Sequence, residues 1–135
     1  MALLVILAAL ALPRFSSVLT DIKLESDAQQ LAGVLRMARQ EAITSGKAKQ
    51  VVFYVKDTKN PRYRYIGKSS YYLSHGVKYL GITTFKYVNN TATCEFLPNG
   101  RALQGGTVAL KAENKRKYVI VLNTTGRIRV SDIQP

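Results

Sequence analysis

The sequence is poor in the residues that usually carry chemistry. It has one cysteine, one histidine and no tryptophan in 135 residues. One cysteine excludes an intramolecular disulfide framework and any multi-thiolate metal site. One histidine beside one cysteine leaves almost no material for a zinc centre or a Cys/His nucleophile. Acidic residues are scarce as well: 8 Asp+Glu against 20 Lys+Arg, a formal net charge of +12. No phosphate-cradling Gly-x-x-x-x-Gly-Lys-Ser/Thr loop, Gly-x-Gly-x-x-Gly fingerprint or Gly-x-Ser-x-Gly elbow occurs. His75 sits in a turn-like stretch without a carboxylate partner nearby, which reads as a solvated loop histidine. Cys94 sits in an apolar strand and reads as a small buried hydrophobe. These absences leave no catalytic residue, no metal ligand set, no cofactor and no small-molecule substrate to name. The protein is read as a non-enzyme.

What is present is unevenly distributed. Hydrophobic residues make up 47% of the chain, too many for a disordered basic tail. Residues 1–45 hold four basic side chains (Arg14, Lys23, Arg36, Arg39) and four acidic ones (Asp21, Glu25, Asp27, Glu41). The remaining residues hold sixteen basic and four acidic side chains, so the entire +12 falls after residue 45. A neutral front and a strongly basic back do different jobs, and the back suits an acidic partner: nucleic acid, anionic lipid or acidic protein.

The chain opens on an unbroken apolar run from Met1 to Leu12. Twelve helical residues rise about 18 Å, short of the roughly 30 Å hydrocarbon core of a bilayer. A signal peptide fits poorly, because no basic residue precedes the run and Arg14 follows it. A buried core helix is the plain alternative. An all-round apolar helix does not suit the surface of a small soluble domain, so lipid or the identical helices of neighbouring subunits are expected to cover Leu3, Leu4, Val5, Ile6, Leu7, Leu10 and Leu12. Pro13 then predicts a kink. From Val18 to Ser45 the period becomes helical: Leu24, Ala28, Leu31, Leu35, Ala38 and Ala42 form one stripe. Ser45-Gly46 is the expected stop, with glycine in the left-handed position past the helix end.

The rest reads as β-structure. Strands are predicted over Gln50–Lys56, Arg62–Ile66, Val77–Leu80, Thr84–Val88, Ala92–Phe96, Thr107–Lys111, Lys117–Leu122 and Arg127–Val130. Turn signals separate them at Asn60-Pro61, His75-Gly76, Asn89-Asn90, Pro98-Asn99-Gly100, Gly105-Gly106 and Thr125-Gly126. Helix first and strands after predicts an α+β fold, a long kinked helix followed by antiparallel, sandwich-like sheets. The expected division is residues 1–19 as an apolar membrane or filament-core segment. Residues 20–135 form a globular domain, with helix 20–45 packed on β-sheets spanning 50–131.

Several stretches carry a family resemblance. Leu-Ala-Ala-Leu-Ala-Leu-Pro-Arg-Phe, ending at Phe15, resembles the N-terminal helix of type IV pilin-like proteins. Leu31–Val52, with Ala38-Arg39-Gln40-Glu41-Ala42-Ile43 at its centre, resembles the opening of the GspH/FimT-type pseudopilin domain. Phe96-Leu97-Pro98-Asn99-Gly100 and Thr125-Gly126-Arg127-Ile128-Arg129-Val130 are similar to its later signatures. The resemblance covers most of the chain and is weakest over residues 57–90. It implies a subunit of a type II secretion or type IV pilus machine. Its helix, with Pro13 at the end of the apolar part, would sit in the bacterial inner membrane and then join other pilins in a filament core. Its β domain would stand in the periplasm or outside the cell. Family members normally carry a basic leader, a prepilin-peptidase site and a glutamate near the mature N-terminus. Aligned on Pro13, these and roughly nine residues of the mature helix are absent, and a truncated start is the expected reason.

Some members bind DNA in natural transformation, and the resemblance places that role on a Gly-Arg-x-Arg motif, here Gly126-Arg127-Ile128-Arg129. On a strand, Arg127 and Arg129 share one face with Ile128 turned inward. Two guanidiniums about 7 Å apart can each engage a backbone phosphate, and Gly126 would let the turn approach that backbone. Lys115, Arg116 and Lys117 join the patch if the preceding hairpin is adjacent. The plain alternative is a hairpin glycine with solvated arginines. Arg62-Tyr63-Arg64-Tyr65 is a second candidate, by base stacking, against an ordinary amphipathic strand. A soluble RNA-binding module leaves the apolar run unexplained.

Overall fold

The computed structural model describes residues 2–81 and 84–135, and within the first part of the helix the side chains of Val5, Ile6 and those from Phe15 onward. Helix α1 runs unbroken over Ala2–Ser45. Leu3, Leu4, Leu7, Leu10, Leu12 and Pro13, named above, lie outside the described side chains. Every member of the predicted stripe is buried, from Leu24 at 1% exposure through Ala28, Leu31, Leu35 and Ala38 to Ala42. Gly46, at φ 69°, ends the helix by donating its N–H to the Ala42 carbonyl at 3.1 Å, the left-handed cap expected of glycine there.

The strands that follow are β1 (Lys49–Phe53), β2 (Arg62–Tyr65), β3 (Ser70–Tyr72), β4 (Val77–Tyr79), β5 (Tyr87–Val88), β6 (Thr91–Phe96), β7 (Gly106–Ala112), β8 (Lys115–Val121) and β9 (Ile128–Ser131). Among the described residues they form two antiparallel sheets, β3-β2-β1-β6-β5 and β4-β7-β8-β9. Alternation decides which face is buried: Val51 and Phe53 on β1, Tyr63 and Tyr65 on β2, and Ala92, Cys94 and Phe96 on β6 all join the core with the helix stripe. The second sheet contributes Val108 and Leu110 from β7 and Val119 and Val121 from β8. Phe53 stacks on Phe85 at 5.7 Å between ring centroids, and Tyr63 on Tyr71 at 5.3 Å.

The α+β fold is as read from the sequence, with local differences. Strand β3 was not foreseen. It follows the Gly67-Lys68 turn and pairs with β2 through Tyr63↔Tyr71. The segment expected as a strand over Thr84–Val88 is extended only at Tyr87–Val88. Thr84 and Phe85 instead tie the two sheets: Thr84 N–H donates to the Thr107 carbonyl at 3.0 Å, Thr107 N–H to Thr84 Oγ1 at 2.8 Å, and Phe85 is buried. Gly105 lies between β6 and β7, and Gly106 is the first residue of β7. A Cβ on Gly106 would meet the Phe85 ring at 2.8 Å, so this glycine makes room for the crossing segment. The Asn89-Asn90 turn is a two-residue hairpin between Val88 and Thr91, with both asparagines at positive φ, the geometry such tight loops require.

Candidate functional site

Three surfaces bear on function, and α1 positions all of them. The first is the front of the helix itself. Val5, Ile6, Phe15, Val18, Leu19 and Ile22 are exposed, Phe15 at 63% and Ile22 at 57%. Phe15, Val18, Leu19 and Ile22 recur at helical spacing, and an exposed apolar stripe of this kind is a candidate contact surface. The helix is joined to the β domain next to this stretch by ion pairs. Lys115 Nζ lies 2.5 Å from Asp21 Oδ2 and donates to Ser17 Oγ at 3.0 Å. Lys117 Nζ pairs with Glu25 at 2.5 Å and also with Asp132. The Lys117 hydrogen bond holds the Glu25 carboxyl below its ordinary value near 4.5, and Asp132 and Glu25 together raise the Lys117 ammonium. Among the described residues, no helix is long and apolar enough to cross a membrane.

The second surface is the Gly126 turn, where the three stretches that resemble the GspH/FimT-type domain meet. Arg39 on α1 donates from Nε to the Gly100 carbonyl at 2.8 Å and from Nη2 to the Thr125 carbonyl at 3.2 Å. Arg36, one turn earlier, donates to the Ile128 carbonyl at 3.2 Å. Gly126 sits at φ 70°, and a Cβ there would fall inside the Gly100 carbonyl oxygen and 2.9 Å from Arg39 Nε. Its glycine is therefore required by packing inside the domain, a requirement separate from any approach to a ligand. Arg36, Arg39, Thr125, Gly126, Arg127 and Ile128 line a shallow cleft of about 380 Å³. Arg127 and Arg129 are exposed and flank buried Ile128, the alternation expected of this strand.

The third surface is the outer face of the second sheet. The basic triplet Lys115-Arg116-Lys117 splits across it. Lys115 and Lys117 point to the helix and its carboxylates, whereas Arg116 points outward. The structure thus brings Arg116 onto the same sheet face as Arg129 and places Lys115 and Lys117 on the other. The period of 2 decides this split, but the helix carboxylates that receive the two lysines, Asp21 and Glu25, lie about ninety residues away in sequence.

The remaining chemistry-bearing residues are structural. Asp27, 5% exposed, accepts from Ser74 N–H at 2.7 Å and from Ser74 Oγ at 2.8 Å. Glu41 accepts from the Tyr65 hydroxyl and pairs with Lys68 at 3.4 Å. Burial pushes the Cys94 thiol up to about 12, which makes it unreactive at neutral pH. Arg62 pairs with Asp57 at 2.5 Å and lies over the Tyr54 ring at 4.2 Å, while Tyr63 and Tyr65 are buried in the core. The Arg62–Tyr65 stretch is therefore an amphipathic strand whose tyrosine rings are unavailable for base stacking. Among the described residues, no three His, Cys, Asp or Glu side chains come together to hold a metal ion.

Residues 27–126 match the model of the family described as type II transport protein GspH. The chain belongs to the GspH family. Its fold is that of solved pilin-like proteins. The minor pseudopilin EpsH of the type 2 secretion system of Vibrio cholerae is 14% identical, with a TM-score of 0.58 over 82% of this chain and 97% of that one. The type IV minor pilin FimU of Pseudomonas aeruginosa is 17% identical in two crystal forms. In one the TM-score is 0.59 over 82% of this chain and 90% of that one; in the other it is 0.56 over 80% and 92%. No match was found among curated protein sequences.

Proposed function

We propose that this GspH-family protein is a non-enzymatic subunit of a type II secretion pseudopilus or a type IV pilus, assembled with other pilin-like subunits through α1. In this reading residues 1–19 lie in the inner membrane before assembly and in the filament core afterwards. Residues 20–135 form the globular domain, facing the periplasm or the outside. The observation that carries the reading is the division of one helix: the stripe from Leu24 to Ala42 is buried in the domain's own core, while Phe15, Val18, Leu19 and Ile22 remain uncovered ahead of it. Membrane fractionation of the native host tests it. Recovery in the membrane fraction is expected, and recovery in the soluble periplasm refutes it.

A second, compatible reading is a minor pilin that also binds DNA through Gly126, Arg127 and Arg129 without sequence preference. It is favoured by the exposure of both arginines beside the cleft lined by Arg36 and Arg39. Lys115 and Lys117 are occupied by carboxylates, so Arg116 is the member of that triplet facing outward on this side. Such binding rests on phosphate contacts and weakens steeply with salt. A gel shift at low salt that disappears when Arg127 and Arg129 become Gln supports this reading. An unchanged shift, or none, removes it.

A further inference from the structure

The outer face of the second sheet holds like charges where a sheet pays for them. Lys78 on β4 is the register partner of Lys111 on β7, and Lys111 is the register partner of Arg116 on β8. Their strand neighbours Val77, Leu110 and Ala112 belong to the core under α1, so the three basic side chains stand on the opposite face. With strands about 4.8 Å apart, they form a lateral row about 10 Å wide. Like charges directly opposite one another destabilise a sheet, and none of the three makes an ion pair among the described residues. The carboxylate nearest in sequence is Glu113, exposed in the β7–β8 turn. A row of this kind suits an anionic partner.

Its height along α1 suggests which one. Lys115, adjacent to Arg116, binds Ser17 and Asp21 and so sets the start of β8 at that level of the helix. The apolar run ends at Leu12. At 1.5 Å per residue, Ser17 and Asp21 lie about 8 and about 14 Å beyond it. The headgroup layer on each side of a bilayer is about 5–8 Å deep. With the apolar run in hydrocarbon, the row therefore stands at the outer edge of the headgroup layer. Lysine and arginine stems can extend toward it, and the charges lie within about one to two Debye lengths. Phe15, about 4–5 Å beyond the run, is exposed within the headgroup layer itself. Arg129, opposite Ile120, is about 13 Å further along the sheet, away from that boundary.

We propose that the row Lys78–Lys111–Arg116 contacts the phosphate headgroups of an anionic membrane while the apolar run of α1 is in the bilayer. This rests on the membrane reading of that run. The row holds the domain against the anionic leaflet and is given up when the subunit leaves the membrane for a filament.

Flotation of the full chain with phosphatidylcholine vesicles, with and without phosphatidylglycerol, tests the proposal at low and high salt. Partition into anionic vesicles is expected to exceed partition into neutral ones by about tenfold at low salt, and to lose that margin at high salt. K78Q/K111Q/R116Q should cut the margin to about threefold or less and raise thermal stability, because three opposed charges are gone; R127Q/R129Q should leave the margin intact. Equal partition into both vesicles, or a margin unchanged in the triple variant, overturns the proposal. Failure to float even with neutral vesicles overturns the membrane reading, and the proposal with it. A DNA duplex bound by the parent and lost by the triple variant, without a lipid margin, assigns the row to nucleic acid and overturns the proposal as well.

Discussion

Replacing Gly126 by alanine should damage this domain more than any other single added methyl group at a turn. The left-handed backbone at φ 70° costs an L-residue about 1–2 kcal/mol by itself. The new Cβ would also overlap the Gly100 carbonyl oxygen, which accepts from Arg39 Nε at 2.8 Å. Separating the two turns breaks that bond or the companion bond to Thr125, and a hydrogen bond from a charged donor contributes about 1.5–3 kcal/mol. The expected loss is about 3–5 kcal/mol, a lowering of Tm by about 10 °C or more for a domain of this size. Gly46→Ala is the control: φ is 69° there, but nothing lies within 4 Å of the added Cβ. It should lose only the backbone cost, about 1–2 kcal/mol. Thermal and urea unfolding followed by circular dichroism measures both. In an Arg39→Met background the Gly126→Ala loss should shrink, since one of the broken bonds is already absent. A Gly126→Ala loss no larger than that of Gly46→Ala would refute the packing argument.

Other outcomes follow from the same geometry. Tyr63→Phe should keep or raise stability by about 1 kcal/mol, because the hydroxyl is buried without a hydrogen-bond partner among the described residues; urea unfolding decides it. The carboxyls of Glu25, Glu41 and Asp57 are all held below their ordinary values, first by hydrogen bonds from Lys117, Tyr65 and Arg62 respectively. Depressed carboxyls stabilise above the unfolded value and lose that contribution as pH falls through the folded one. Tm should therefore be flat from neutral pH to about 5 and fall below about 4.5, and a Tm falling already between pH 7 and 6 contradicts this. Cys94 should resist maleimide labelling in the folded protein and label fully in urea, read by mass spectrometry, because its thiol is buried and raised to about 12.

Much of the architecture was legible because local rules and tertiary packing agree. The Leu24–Ala42 stripe, the Gly46 cap and the Asn89-Asn90 hairpin each follow from period or backbone preference alone. Strand β3 was missed because three residues, Ser70–Tyr72, are too few for alternation to register; its pairing to β2 is what makes it a strand. Thr84–Phe85 has strand composition, yet Phe85 packs between Phe53 and Gly106 and pulls the segment across the sheets. At the candidate site, the alternation of Arg127, Ile128 and Arg129 was readable. The pairing of Lys115 with Asp21 and of Lys117 with Glu25 was not, because those partners are on the helix. The role of Gly126 was hidden for the same reason: its constraint comes from Gly100 and Arg39, distant in sequence and adjacent only after folding. Long-range contacts set these side chains, while the elements that carry them are set locally.

The central claim is that the uncovered front of α1 packs against sister helices. Ile22→Cys offers a direct test, since it places a reactive thiol on the exposed face while the native Cys94 stays buried. Oxidative cross-linking in the native host should give a covalent product containing a second pilin-like subunit, identified by mass spectrometry. The same substitution at buried Leu31 should give none. A protein that remains entirely monomeric with cysteine at Phe15, Val18 and Ile22 in turn, while its machine assembles, would contradict assembly through this helix.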